Sequence, residues 1–292
     1  MRVGFIGLGS LGKAISGRLL SQGVDLIVWN RSKEKALELG VPVADSPAEL
    51  IREVDRVFVI VFDSQASEEV IFGKDGLVEG GIEGKTIIDM TTNHYAYASQ
   101  AYEEIKKLGG YYLDAPVLGS VVPAQKGELT ILVGGEREKF EENKPLFEKF
   151  CKNIFYVGKA GDATKLKLIN NIVLGGFMQV LSEAIAIGEL AGFGRDLLIQ
   201  VLESGAGKSY LLDVKKKKLL DRDYSVHFSV DLIHKDLHYA EDMIKDLGAF
   251  SFSLQNVKNA YGLARYVGLG GKDFSVLTEL YRLINTQNPS DT

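Results

Sequence analysis

The sequence has very little cysteine, since Cys151 is the only one among its 292 residues. One thiol cannot form a disulfide within the chain, so we expect a structural thiol in a reducing compartment. The sequence also lacks a basic and apolar leader segment and any apolar run of about 18 residues. Its net charge of −5 gives no basic excess for nucleic-acid binding. These absences predict a soluble, cytoplasmic protein that binds neither nucleic acid nor membrane.

The clusters of polar residues outside any motif give little support to a metal site. His234 and His238 are four residues apart, but no acidic third ligand accompanies them in a recognisable pattern. We therefore expect helix-surface histidines and no bound metal. The lysine run at residues 215–218 is expected to form a solvated helix face.

The first half of the chain alternates short apolar runs with helical patterns. This alternation is typical of βαβ units around a parallel sheet. The runs predict strands at 3–6, 26–29, 57–61, 86–89, 111–116, 129–133 and 153–157. The intervening patterns predict helices near 10–22, 32–39, 47–53, 65–72 and 94–108.

After Gly161 the pattern changes, and no further convincing strand follows. Residues 163–191 are apolar at helical spacing, and more helices are predicted near 195–204, 208–220, 229–247, 253–267 and 273–284. The predicted fold class is α/β. A Rossmann-type domain with a parallel sheet at 1–162 precedes an all-helical domain at 163–292, and one long interdomain helix joins them.

The long helix is apolar nearly all round, which indicates more than one buried face. Gly175-Gly176 lies inside it, where each glycine costs about 1 kcal/mol of helix stability. A close approach by another helix would explain the pair. We expect this helix to carry the domain hinge and a contact in a homodimer or homotetramer.

The strongest local motif opens the chain. Gly7-Leu8-Gly9-Ser10-Leu11-Gly12 reads G-x-G-x-x-G directly after an apolar strand and at the start of a helix. In such loops the first glycine permits the tight turn, the second lets the backbone approach a pyrophosphate, and the third allows close helix–strand packing. The phosphates bind at the helix N-terminus. We assign these six residues to a dinucleotide.

The end of the second strand indicates which dinucleotide binds. NAD sites carry an acid there for the ribose 2′-hydroxyl, whereas this chain has Asn30, Arg31 and Ser32. No carboxylate is available to repel a 2′-phosphate, and Arg31 can pair with one. NADP is therefore predicted over NAD. The alternative is that Arg31 is only a solvated residue at a helix start.

Lys167 and Asn171 are four residues apart and share one helix face. Leu166, Leu168 and Ile169 flank the lysine, so partial desolvation would prepare its ammonium group for proton transfer. On spacing alone, a lysine extending from an amphipathic helix is the commoner interpretation. The glycine loop at residues 7–12 favours instead the interpretation that Lys167 is catalytic.

With these residues in view, the chain resembles the β-hydroxyacid dehydrogenase family, which includes 3-hydroxyisobutyrate dehydrogenases and glyoxylate/succinic semialdehyde reductases. The resemblance covers nearly the whole chain. It is carried by residues 3–13, 29–31, 89–92 and 114–120, by Lys167 with Asn171, and by Phe228 with residues 235–237. Residues 119–120, 123–127 and 268–275 favour the glyoxylate/succinic semialdehyde reductase branch.

The resemblance implies an NADP-dependent oxidoreductase acting on CH–OH groups. Lys167 would be the general acid/base, Asn171 would orient the substrate, and Gly119 and Ser120 would donate hydrogen bonds to a substrate carboxylate. The other implied substrate contacts are Thr92, Leu118, Phe228 and Asp236. The other implied cofactor contacts are Thr92, Lys235 and the backbone of Val61, Phe62 and Asp63.

Leu118 stands where the family usually has serine, so one donor to the substrate carboxylate is missing and this wall of the pocket is more apolar. The leading hypothesis is an NADPH-dependent reductase of a small carboxylate-bearing aldehyde or 2-oxo acid. NAD(P)-dependent oxidation of a β-hydroxyacid, of the 3-hydroxyisobutyrate or serine type, stays open. A non-catalytic NADP-binding protein also stays open. Lys167 argues against an imine reductase, which lacks lysine at this place.

Overall fold

The computed structural model describes residues 2–286. The chain divides into two compact units, Met1–Leu168 and Ile169–Thr292. This division falls inside the long helix, six residues after its first residue, Asp162. The division of the chain into domains at 1–162 and 163–292 stays a prediction.

The first unit is built on one eight-stranded sheet. Its strands are β1 (Arg2–Ile6), β2 (Asp25–Trp29), β3 (Arg56–Val59), β4 (Thr86–Asp89), β5 (Tyr111–Asp114), β6 (Val117–Leu118), β7 (Leu129–Gly134) and β8 (Cys151–Gly158). The order is β2-β1-β3-β4-β5-β7-β6, with β8 beside β7. The first five strands are parallel, as predicted, whereas β7 runs antiparallel to β5 and β6.

Helices cover both faces of this sheet. They are α1 (Ser10–Ser21), α2 (Lys33–Leu37), α3 (Pro47–Arg52), α4 (Ser64–Phe72), α5 (Tyr95–Lys107), α6 (Val121–Lys126) and α7 (Arg137–Phe147). Alternate residues of the first five strands enter separate apolar clusters, as Phe5 and Ile6 of β1 do. The expected Rossmann-type unit is thereby confirmed.

Helix α7 is not predicted from the sequence. Its segment contains Pro145 and many charged residues, and it has only three large apolar side chains. Phe140, Leu146 and Phe147 are the ones that pack into the core. A helix whose apolar stripe is this narrow gives a weak periodic signal.

The second unit is helical throughout the part of it that the structure describes. Its helices are the long α8 (Asp162–Leu190), which starts in the first unit, then α9 (Arg195–Ser204), α10 (Tyr210–Asp221), α11 (Val230–Asp246), α12 (Phe252–Tyr266) and α13 (Leu277–Thr286). No strand forms among residues 169–286, as the sequence predicts.

The glycine pair in α8 serves packing within the second unit. A Cβ on Gly175 would lie 3.2 Å from Val257 and 3.5 Å from Tyr261, both on α12. The Tyr261 hydroxyl also donates to the Gly175 carbonyl oxygen at 3.4 Å. The close helix approach that the pair predicts is therefore made by α12.

Helix α8 contains no unbroken apolar run of about 18 residues, because Gln179, Ser182 and Glu183 interrupt it. An 18-residue window of this helix reaches a mean hydropathy of 1.4, which by length and composition suffices to cross a membrane. Core helices of soluble proteins pass the same test, and 44% of the window is buried here. The segment is therefore only weak evidence for a membrane contact.

Only half of the lysine run of α10 is the solvated face that its composition suggests, since Lys217 is exposed and Lys216 is half-exposed. Lys215 and Lys218 are buried. Lys215 pairs with both carboxylate oxygens of Asp273, at 2.6 and 2.8 Å, and Lys218 pairs with Asp223 at 3.0 Å. Helical spacing turns these two lysines inward, which a count of charges cannot show.

Candidate active site

The glycine loop between β1 and α1 has the shape of a pyrophosphate cradle. Gly7 has φ +95°, and a Cβ there would lie 2.0 Å from the Ile60 carbonyl oxygen. A Cβ on Gly12 would lie 2.0 Å from the Gly7 carbonyl oxygen. Gly9, in contrast, has nothing within 4 Å of its Cβ position. Two glycines are thus required by the fold itself, and the middle one leaves open space.

That open space lies at the N-terminus of α1. Gly9 is the residue before the helix, and its cap carries no side-chain hydrogen bond. Gly9 and Ser10 are exposed, whereas Leu8 is buried. The first N–H groups of a 12-residue helix and its positive dipole end can therefore meet an anion. These residues fit a dinucleotide.

The end of β2 lies directly beside this loop. The Leu8 amide donates to the Asn30 side-chain oxygen at 2.8 Å, and the Asn30 side-chain nitrogen donates to the Ser32 carbonyl at 2.9 Å. Asn30 therefore fixes the glycine loop to the turn after β2. Arg31 and Ser32 are exposed on that turn, where they can meet a 2′-phosphate.

The segments after β3 and β4 are joined by a hydrogen bond. The Val61 amide donates to the Thr91 hydroxyl at 3.0 Å, which brings the Val61–Asp63 stretch next to Thr92. Asp63 accepts from the Ala66 amide at 2.8 Å and caps α4, while Phe62 is 49% exposed. The backbone of this stretch and Thr92 thus border one edge of the sheet, as proposed cofactor contacts should.

A buried carboxylate shapes the loop that carries Thr92. Asp89, the last residue of β4, accepts hydrogen bonds from Ser67 at 2.5 Å, Asn93 at 2.8 Å and Tyr112 at 3.1 Å, and from the backbone amide of Thr91 at 2.9 Å. Burial raises the pKa of Asp89, and these donors oppose that rise. Asp89 is a structural determinant of the Thr92 loop.

A second buried carboxylate stands on the neighbouring strand and holds the start of α8. Asp114 accepts from the Gly161 amide at 2.8 Å, the Thr164 amide at 3.0 Å and the Thr164 hydroxyl at 2.6 Å. Burial raises the pKa of Asp114 to about 6. Lys167 follows one turn later and is only 7% exposed. The structure therefore buries the lysine that the sequence assigns to proton transfer.

The predicted carboxylate-binding segment follows Asp114. Gly119 has φ +118°, and a Cβ there would lie 2.6 Å from a Leu129 methyl carbon, so this position requires glycine. Ser120 precedes α6, and its side chain makes no capping hydrogen bond there. Leu118 is half-buried and pairs with Thr130, while its neighbour Val117 packs in the core. Leu118 thus presents an apolar side chain on the other face of the sheet.

In the second unit the structure brings Asn171 to Lys235 and Asp236, two adjacent residues that are distant from it in the sequence. Asn171 donates to Asp236 at 2.6 Å, and Lys235 pairs with the other carboxylate oxygen of Asp236 at 2.9 Å. Lys235 also lies 5.0 Å from the centre of the Tyr239 ring. Asp236 therefore orients both an amide and an ammonium group. Asn171 and Asp236 are buried.

The segment that carries Phe228 is held by a residue that the sequence analysis did not single out. Asp273 accepts from the backbone amides of His227 and Phe228, at 3.1 and 3.2 Å. Its ion pair with Lys215 holds its pKa below the ordinary value although burial opposes this. The Phe228 ring packs edge-on against Phe274, with centroids 5.6 Å apart. Phe228 is therefore firmly placed.

His234 and His238 are neighbours, with ring centroids 4.3 Å apart. His238 Nδ1 donates to the His234 carbonyl at 2.8 Å, and Arg265 reaches His234 Nδ1 at 3.1 Å. Burial lowers the pKa of His234 to about 4. Among residues 2–286 no three histidine, cysteine or acidic side chains are grouped as a metal site.

Both parts of the chain match domains of known dehydrogenases. Residues 2–158 match the NAD-binding domain of 6-phosphogluconate dehydrogenase, and residues 161–281 match the NAD-binding domain of NADP-dependent 3-hydroxyisobutyrate dehydrogenase. The chain is 36% identical over 283 residues to glyoxylate/succinic semialdehyde reductase 1 of Arabidopsis thaliana, covering 96% of this chain and 98% of that protein.

Two solved structures are similar over nearly the full length. Psf3 in complex with NADP⁺ and 2-OPP has a TM-score of 0.90 at 29% identity, covering 95% of this chain and 99% of that one. The 3-hydroxyisobutyrate dehydrogenase of Salmonella typhimurium has a TM-score of 0.88 at 26% identity, covering 96% and 99%.

Proposed function

The chain belongs to the β-hydroxyacid dehydrogenase family and is an NAD(P)-dependent oxidoreductase, and we propose that it is an NADPH-dependent reductase of small carboxylate-bearing aldehydes or 2-oxo acids. Glyoxylate and succinic semialdehyde are the substrates to test first, since a relative that is 36% identical is named for them. The observation that carries the proposal is the burial of Lys167 on α8, where the lysine is only 7% exposed. The same chain has a complete glycine loop for a dinucleotide.

The proposed cofactor residues lie in the first unit. Gly7 to Gly12 would hold the pyrophosphate through the open space at Gly9, and the exposed Arg31 and Ser32 would meet the 2′-phosphate. The backbone at 61–63 and Thr92 would border the rest of the nucleotide. NADPH, when bound, supplies the hydride.

The chain's own residues would supply binding and a proton. Gly119 and Ser120 would donate hydrogen bonds to the substrate carboxylate, and Leu118 would favour a substrate with an apolar stem. Lys167 would give a proton to the carbonyl oxygen, which becomes the hydroxyl oxygen of the product. The family resemblance further implies that Asn171, Phe228 and Asp236 would contact the substrate and that Lys235 would contact the cofactor.

We also propose that the protein forms a homodimer or homotetramer. One face of α8 exposes large apolar side chains, each between 49% and 63% accessible: Ile169, Val173, Phe177, Val180, Ile187 and Leu190. This apolar stripe of α8 extends about 32 Å along the helix. A second copy of the chain would remove it from water.

Steady-state kinetics of Lys167→Ala tests the mechanism. Removing a general acid/base costs about 10²–10⁴ in rate, so kcat should fall by that order while NADPH affinity stays nearly unchanged. Lys165→Ala is the matched control, because Lys165 is half-exposed and pairs with Asp162 at 3.3 Å. Near-normal turnover by Lys167→Ala on the best substrate would refute the mechanism.

The substrate panel separates the alternatives. Activity should be sought with glyoxylate and succinic semialdehyde plus NADPH, and in the reverse direction with serine and 3-hydroxyisobutyrate. Faster oxidation than reduction would favour the hydroxyacid dehydrogenase, and NADPH binding without turnover would favour a non-catalytic role.

A further inference from the structure

The turn before α8 is held by a carboxylate that belongs to a different part of the chain. Asp114 ends β5 and is fully buried. Its Oδ2 accepts from the amides of Gly161 and Thr164, and its Oδ1 accepts from the Thr164 hydroxyl. Thr164 is itself fully buried. Three hydrogen bonds therefore join one side chain to the first turn of α8.

The other side of the same turn is closed by α5. A Cβ on Gly161 would lie 2.4 Å from the Ser99 hydroxyl and 3.0 Å from the Tyr95 carbonyl oxygen. The Ser99 hydroxyl donates to the Ala160 carbonyl at 3.2 Å. The start of α8 is thus enclosed between α5 and Asp114, so a change in the Asp114 contacts must move the helix start or strain it.

Burying the carboxylate of Asp114 at this contact has an electrostatic cost. Its register partner on β4 is Asp89, which is also buried, so the two anions repel each other. The α8 N-terminus and the three donors favour the charge locally. Two donors bind one oxygen of the Asp114 carboxylate, and a third donor binds the other oxygen. The position and the orientation of the carboxylate are therefore fixed.

Asp114 and Lys167 are linked through one turn of helix. Thr164 precedes Lys167 by three residues, so the two side chains are neighbours on the helix surface. Asp114 also begins the segment that ends in Gly119 and Ser120. A displacement of about 1 Å in a reacting group can lower a rate by about 100-fold. Small shifts at Thr164 are therefore expected to matter for chemistry at Lys167.

We propose that Asp114 and Thr164 form a positioning pair that sets the place of Lys167 for proton transfer. This inference rests on the proposed function, because it requires Lys167 to act on the substrate. Neither residue touches the substrate in this proposal. Their effect passes through the first turn of α8.

The test compares Thr164→Val with Thr164→Ser. Valine has nearly the shape of threonine but removes the hydroxyl donor, whereas serine keeps it. We expect kcat of Thr164→Val to fall by about tenfold or more, with the NADPH dissociation constant changed less than twofold. Thr164→Ser should stay within about threefold of wild type. Thr164→Ala repeats the test if the valine variant does not fold.

Two controls separate positioning from general stability. Ser99→Ala removes the bond to the same turn from the opposite side and should leave kcat within about twofold. The double variant Lys167→Ala/Thr164→Val should be no slower than Lys167→Ala alone, because Thr164 acts through Lys167. A role in folding alone would lower the melting temperature of Thr164→Val without lowering kcat at 25 °C.

The outcomes are distinguishable from failure of the proposed function. Normal turnover by Thr164→Val, with Lys167→Ala impaired, would overturn the positioning pair and leave the function standing. Additive losses in the double variant would overturn it as well. Normal turnover by Lys167→Ala would overturn both. The supporting result has three parts. Thr164→Val lowers kcat, Thr164→Ser keeps kcat near the wild-type value, and Thr164→Val causes no further loss when Lys167 is already alanine.

Discussion

The glycine loop allows a test in which two similar substitutions should have opposite effects. Gly9→Ala adds a methyl group where nothing lies within 4 Å. Gly9 has φ −66° and ψ −178°, a conformation open to alanine. The folded protein should accept this change. The methyl would, however, occupy the space above the α1 N-terminus that we assign to the pyrophosphate.

Gly12→Ala adds the same group at a different place. Its Cβ would lie 2.0 Å from the Gly7 carbonyl oxygen and 3.1 Å from the Gly7 carbonyl carbon. Since both atoms are backbone, β1 and α1 must separate by about 1 Å, and such overpacking costs about 1–3 kcal/mol. Alanine returns up to about 1 kcal/mol through helix propensity. The net loss should be about 1–2 kcal/mol.

The two variants are compared by thermal unfolding and by fluorescence titration with NADPH. A loss of 1–2 kcal/mol in a chain of this size lowers Tm by about 2–8 °C, and we expect this for Gly12→Ala. Gly9→Ala should keep Tm within about 1 °C while its NADPH dissociation constant rises at least tenfold, about 1.4 kcal/mol.

The result that would refute this reasoning is normal NADPH affinity in Gly9→Ala. The pyrophosphate would then lie elsewhere, and the open space at Gly9 would not be its binding site. An unchanged Tm in Gly12→Ala would show instead that the β1–α1 contact can relax without penalty.

Three further predictions concern the cofactor, pH and assembly. Arg31→Ala should raise the NADPH Michaelis constant far more than the NADH one, and equal effects would contradict the 2′-phosphate assignment. The pKa of Asp114 is about 6 in the folded protein, against 3.8 in the unfolded chain. The contribution of this carboxyl group to the unfolding free energy is therefore complete below pH 3.8 and is lost as the pH rises through 6. The unfolding free energy of Asp114→Asn relative to wild type should therefore increase by about 1 kcal/mol between pH 5 and 7.5, and a flat difference would contradict this. Phe177→Asp with Val180→Asp should yield monomers in sedimentation, whereas Leu108→Asp, an exposed residue of the first unit, should not; a monomeric wild type at micromolar concentration would refute the assembly.

The sequence by itself determined the elements whose signal is local. The loop from Gly7 to Gly12 is specified by backbone demands that only glycine meets, and the structure places it between β1 and α1 as expected. The parallel strands and the long α8 follow from apolar periodicity that can be counted along the chain. Lys167 is buried although two of its apolar sequence neighbours, Leu166 and Ile169, are exposed, so its burial depends on the face of α8 on which it lies. Helix α7 was missed because its apolar stripe is narrow.

Only the tertiary structure decided which distant residues support these elements. Thr164 meets Asp114 across 50 positions, Asn171 meets Asp236 across 65, and Lys215 meets Asp273 across 58. No local pattern encodes such a pair, because the meeting depends on strand order, register and the direction in which each helix face points. The lysine run of α10 shows the same limit. Its composition suggests solvation, but the facing carboxylate of Asp273, fixed by the fold, makes burial of Lys215 possible.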